Sequence, residues 1–154
     1  MELLSGMALG GMAATYGILG IIWYIILVIA DWKIFKKAGK PGWLSLIPVL
    51  NTFIVYKISW KGRMFLLMLL TMGGSKLCAD MAGDNGGTLS IVAIVLAIIC
   101  LLITLTAFYK LSKSFGHGIG FTLGLIFLNP LFTLILAFGK SKYIGPSGIP
   151  VNRA

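Results

Sequence analysis

Two of the asparagines stand where an amide could do chemistry. Asn51, followed by Thr52, lies three residues after Pro48 in an apolar stretch, and Asn129 directly precedes Pro130 in another. An amide side chain offers both donors and an acceptor. At a break in an apolar helix it has two uses: capping the half-helix that starts there, or presenting hydrogen bonds to a passing solute beside the positive end of that helix dipole. Asn51, Thr52 and Asn129 are therefore the candidate conduit or half-helix-cap residues. The second group is cationic. Lys33, Lys36, Lys37 and Lys40 recur at i, i+3, i+4 and i+7, with Ile34, Phe35 and Ala38 on the other face. Lys110, Lys113, Ser114 and His117 repeat the stripe against Leu111 and Phe115. Such a face suits anionic lipid headgroups or an acidic partner. His117 could also titrate near neutral pH, although between two glycines it reads as an ordinary interfacial histidine.

Other chemistry is poorly supplied. Glu2, Asp31, Asp80 and Asp84 are the acids, and all fall at expected membrane edges, leaving no carboxylate pair at midplane for a proton relay. Cys78 and Cys100 belong at different depths and form no CxxC or Cys/His cluster. Residues 80–87, DMAGDNGG, lack the remaining ligands of a calcium loop and read as a polar turn. No nucleophile–base pair is evident, so neither an enzyme nor a metal or cofactor is expected.

The elements that position these residues are set by composition. Of 154 residues 58% are apolar and 11% charged, with mean hydropathy +1.00, far from the balance of a soluble domain. The expected class is an all-α membrane protein forming one integral domain. The net charge of +9 lies between apolar runs rather than on a soluble module, which argues for membrane anchoring against nucleic acid. Residues 12–30 form a first span of about 28 Å, close to the ~30 Å hydrocarbon core. The basic residues follow it, so the span is retained with the N-terminus outside. Asp31–Lys40 is an interfacial helix bracketed by Trp32 and Trp43. Residues 43–56 are too short to cross and dip in and out. Residues 62–78 form the second span with Lys76 snorkelling outward, and residues 88–108 form the third. Residues 119–138 are long enough to span, and the Asn129–Pro130 break and the charges make them a second dip, with five crossings as the alternative. Residues 140–154 form a cytoplasmic tail of surface coil. Twelve of the thirteen Lys/Arg residues then share the cytoplasmic side of the cell membrane.

The basic and dipping stretches look like two copies. Residues 32–53 align with 109–131 across a one-residue gap after the Gly39/Gly116 pair: Trp32 falls on Tyr109, Lys36 on Lys113 and Asn51 on Asn129. Three transmembrane helices and two re-entrant segments thus form a tandem parallel repeat, 12–56 and 88–139, joined by the span 62–78. So few helices cannot shield two broken segments alone, which implies a homo-oligomer.

The run WKIFKKAGKPGWLSLIPVLN, with FGKSKYIGP nearer the C-terminus, resembles the DUF5684 family of small multi-pass membrane proteins, some of which are labelled signal peptidase I. The resemblance covers most of residues 30–145 and brings no catalytic residues. The peptidase label fits poorly. A serine-type signal peptidase needs a Ser, a Lys of lowered pKa and a sizeable outer β domain, whereas this chain offers Ser75–Lys76, adjacent and about 100° apart on a helix. The expected function is a channel or transport element for a small neutral or anionic solute. The alternative is a scaffold whose basic face holds a partner or anionic lipid.

Overall fold

In the computed structural model the apolar runs become long helices. It describes residues 2–83 and 87–150, with side chains from Thr15 onward. Six α-helices follow in order: α1 (Glu2–Lys37), α2 (Pro48–Ser59), α3 (Gly62–Ala82), α4 (Thr88–Ser114), α5 (Ile119–Phe127) and α6 (Asn129–Phe138). Short 3₁₀ turns occupy Gly42–Leu46 and Pro146–Gly148, and no strand occurs among the described residues. Thr15–Lys37, Gly62–Ala82 and Thr88–Ser114 are long and apolar enough to cross a membrane.

The basic segments are not separate interfacial helices. Asp31–Lys37 is the end of α1, which runs unbroken for 36 residues, and Tyr109–Ser114 is the end of α4. Neither stretch contains a proline or glycine to interrupt it, and lysines in a last turn suit the helix dipole. Both helices stop in the same way. Gly39 (φ 69°) and Gly116 (φ 77°) take the left-handed conformation. The N–H of Gly39 bonds the Lys36 carbonyl and that of Lys40 the Phe35 carbonyl; Gly116 bonds Lys113 and His117 bonds Ser112. These are paired 5→2 and 6→1 Schellman closures, at the two glycines that the sequence alignment places together.

After each closure the chain folds back. Gly42 lies directly under the Trp32 indole, where a Cβ would collide, and Leu46 accepts a hydrogen bond from the Tyr24 hydroxyl at 3.4 Å. Eight residues of α1, about 12 Å, separate those contacts, so the 3₁₀ turn descends along α1. Pro48 then starts α2, which climbs back until the carbonyl of Ile58 meets Tyr143 and Ser114. The second fold-back is tighter. The rings of Phe121 and Phe132 stand 5.0 Å apart, edge to face, and Gly124 faces the Phe132 ring with no room for a Cβ. Eleven residues of continuous helix would span about 16 Å, so α5 and α6 form a hairpin about Leu128.

One end of the molecule therefore gathers the ends of α1, α2, α4 and α6 and the starts of α3 and α5. Among the described residues every Lys and Arg except Lys76 lies there. The core sits at the same end, where Phe35, Ile58, Leu111, Phe115, Leu125 and Leu136 pack from five helices. Away from it α3 and α4 pair antiparallel, Ser75 Oγ donating to the Ala93 carbonyl at 2.9 Å. The outer faces of the long helices are bare and apolar, Tyr16 through Ile25 on α1 and Ile91 through Leu102 on α4. Lipid or another apolar chain must cover them.

The segment after α6 is a docked strap, not surface coil. Tyr143 Oη donates to Ile58 O at 2.8 Å, and Ile144 N to Ser114 O at 2.8 Å. Ser147 receives Lys110 Nζ at 3.1 Å and itself reaches the Ser59 carbonyl at 3.3 Å. These bonds add donors to carbonyls at the ends of α2 and α4, where the intrahelical ladder runs out. Residues 151–154 of the expected tail lie outside the described residues.

Candidate functional site

The two asparagines do not cap their helices. Pro48 opens α2 three residues before Asn51, with Ile47 at the cap position and no side-chain cap bond, and the Asn51 N–H is already bonded to the Ile47 carbonyl at 2.8 Å. Leu128 holds the cap position of α6, again without a side-chain bond. The amide of Asn51 is thus free to cross to α1, where Nδ2 donates to Asp31 Oδ2 at 2.6 Å. This is a charge-assisted bond of the short, strong kind. Asn129 begins α6 and accepts Thr133 Oγ1 at 3.4 Å. Thr52 Oγ1 bonds back to the Pro48 carbonyl at 3.0 Å.

These residues meet at two small cavities. One, of about 140 Å³, lies among α1, α2, α4, α5 and α6; Asp31, Asn129 and Thr133 supply its polar lining and Leu125 and Leu136 part of its apolar wall. The other, of about 230 Å³, lies among α2, α3 and α4 and is lined by Asn51, Thr52, Tyr56 and Thr104. Val55 and Phe108 line both and form the partition between them, and the Asp31–Asn51 bond links a residue of one cavity to a residue of the other. Each is mostly apolar with a few polar groups on its wall, and each is roomy enough for several waters. The chemistry on offer is hydrogen bonding next to one carboxylate.

Asp31, expected at a membrane edge, faces the interior, which the sequence reading did not foresee. Its signal lay in the helical period: Asp31, Ile34, Phe35 and Ala38 recur at i, i+3, i+4 and i+7, the stripe that faces the core. The lysine stripe divides for the same reason. Lys37 is three residues from Ile34 and seven from Ala30, at the border of the buried face. It turns inward, Nζ donating to the carbonyls of Leu136 at 2.7 Å and Gly139 at 2.8 Å, and so caps the C-terminus of α6 instead of facing headgroups. Lys37→Met should cost about 1–2 kcal/mol and fray α6, seen as faster amide exchange at Ala137–Gly139 with α3 and α4 unchanged.

The other basic residues keep varied company. Lys33 Nζ sits 3.9 Å over the Phe138 ring, and Lys36 6.0 Å from Trp32; both are exposed, and Lys40 is half-buried. Lys110 lies 4.8 Å over Trp60 and also holds the strap, while Lys113 stays exposed beside Tyr109. His117 Nε2 is 2.7 Å from Ser141 Oγ, and its ring stacks on Phe121 at 4.1 Å and 11°. Ser75 points at α4, whereas Lys76 points outward and pairs with Asp80 at 3.6 Å, so the two do not converge. Among the described residues no group of three His, Cys, Asp or Glu side chains is placed to hold a metal ion.

Three helices of membrane-crossing length, with two fold-backs joined to a basic end, define a small all-helical protein of the membrane class. The model of the family described as "Family of unknown function (DUF5684)" matches residues 43–146, more than half of the chain, and the chain belongs to that family. The match includes Asn51, Asn129 and most of the strap. No curated protein and no solved structure matches the chain.

Proposed function

We propose that this is a non-enzymatic membrane transport element that passes a small neutral solute along the seam of Asp31, Asn51, Thr52, Asn129 and Thr133. Its basic end is cytoplasmic, by the bias that places Lys and Arg inside, and it works as a homo-oligomer whose copies cover the bare apolar faces. The observation that carries this reading is convergence. Asparagines from two separate fold-backs line neighbouring cavities of about 140 and 230 Å³, which the Asp31–Asn51 bond connects. Polar groups inside a membrane bundle are costly, and lining a solute site is a common reason for keeping them.

The sign of the charges narrows the solute. The lysine-bearing end repels cations, and the Asp31 carboxylate repels anions; at ~4 Å such a repulsion is worth about 4 kcal/mol near a protein surface. An anionic solute, which the lysines alone would favour, is thus disfavoured at the seam, and a neutral molecule able to hydrogen-bond satisfies both. Proteoliposomes under a glycerol or urea gradient test this. Asn129→Leu should slow solute entry ten-fold or more, a barrier rise of ~1.4 kcal/mol, without loss of assembly. Asp31→Asn should admit small anions that the natural chain excludes. Equal rates in empty and protein-bearing vesicles would overturn the reading. A scaffold role draws support from the exposed Lys33, Lys36 and Lys113. It predicts that charge removal at those three releases a partner, while Asn129→Leu is silent.

A further inference from the structure

A second site lies on the opposite flank of α1 and is independent of the solute seam. Where the chain folds back from Gly42 to Leu46, the strip of α1 from Tyr24 to Lys36 becomes one wall of an open groove of about 570 Å³. Ile25, Val28, Ile29 and Leu46 make it apolar through most of its depth, with Trp32 higher up and Lys33 and Lys36 at its mouth. From Tyr24 to Lys36 is about 18 Å of helix, close to one leaflet of a ~30 Å hydrocarbon core. The order along that axis is the order within one leaflet: aliphatic side chains, then an indole at the interfacial level, then ammonium groups at the phosphate level.

From this we infer that the groove binds one anionic glycerophospholipid. One acyl chain lies along Ile25, Val28 and Ile29, and the phosphate sits between Lys33 and Lys36. A zwitterionic lipid would fill the apolar part equally well, but its own ammonium would meet two lysines. Two cations and no described carboxylate at the mouth therefore select net negative charge. Lys33 and Lys36 rest on the rings of Phe138 and Trp32, a cation–π contact that leaves their N–H donors for phosphate oxygens. Lys37, by contrast, is committed to the end of α6 and takes no part.

The test is native mass spectrometry on the full chain, equilibrated in nanodiscs of equal phosphatidylglycerol and phosphatidylcholine and then released into mild detergent. One phosphatidylglycerol per chain should remain bound, preferred over phosphatidylcholine at least ten-fold. Lys33→Gln with Lys36→Gln should abolish the preference while retaining lipid. Val28→Phe, which fills the groove, should lose both lipids; Ile25→Trp, at a half-exposed position, serves the same purpose if Val28→Phe misfolds. Equal retention of the two lipids by the natural chain would overturn the inference. So would an unchanged preference in the double lysine variant, or a lipid-free dimer with the groove occupied by a second copy.

Discussion

Asn51→Leu should destabilise the protein by about 2–3 kcal/mol, because it leaves the half-buried Asp31 carboxylate without its amide donor. The leucine would fit the apolar surroundings; the loss comes from the stranded acceptor. Replacing both partners removes that cost, since an apolar pair of similar shape can be nearly neutral. Asp31→Leu combined with Asn51→Leu should therefore recover most of the stability lost in Asn51→Leu alone. Thermal unfolding in detergent of the natural chain, the two single variants and the double variant forms a complete cycle. Strong non-additivity is the expected result. Additive losses would mean that Asn51 acts through packing and that the 2.6 Å contact carries little energy.

The second large effect is steric. Gly124→Val should open the α5–α6 hairpin at a cost of about 3 kcal/mol, the upper range for overpacking. Its Cβ would enter the Phe132 ring, and that ring is held edge-on by Phe121, which is itself stacked on His117. Spin labels at Ile119 and Phe138, both exposed, should report a short, narrow distance in the natural chain. In the variant that distance should lengthen and broaden, and Phe132→Ala should partly restore it. Gly42→Val, under the Trp32 indole, should disturb the first fold-back in the same way. No change in the label distance would mean that α5 and α6 are held by contacts other than this glycine.

How much of this was readable beforehand depends on the range of the interactions. The three long apolar helices follow from runs of local composition, and both breaks were marked by proline. The Gly39/Gly116 alignment pointed at two positions that take the same left-handed conformation. The cap assignment failed on a local point: proline favours the first helical turn, so α2 begins at Pro48 and Asn51 is already inside it. The remaining errors concern pairs distant in the chain. Asp31 and Asn51 are 20 residues apart, Lys37 and Leu136 are 99, and Tyr143 and Ile58 are 85. Helical period places Asp31 and Lys37 toward the buried face, but no local pattern names the partner found there. The strap was hidden for a related reason. GKSKYIGPSG has no apolar period, and it is held by hydroxyls and backbone groups.

The most direct test is the side of the membrane on which each loop lies. In a Cys78→Ser, Cys100→Ala background, single cysteines at Lys40, Lys61, Gly118 and Lys142 are labelled in sealed vesicles with a membrane-impermeant maleimide. Lys76→Cys serves as the opposite-side reference. Three crossings with two fold-backs predict that the first four positions react from one side, together, and Lys76→Cys from the other. Labelling of Lys40→Cys and Lys61→Cys from opposite sides, or of Gly118→Cys and Lys142→Cys, would turn a fold-back into a crossing. That result would contradict the arrangement on which the seam depends.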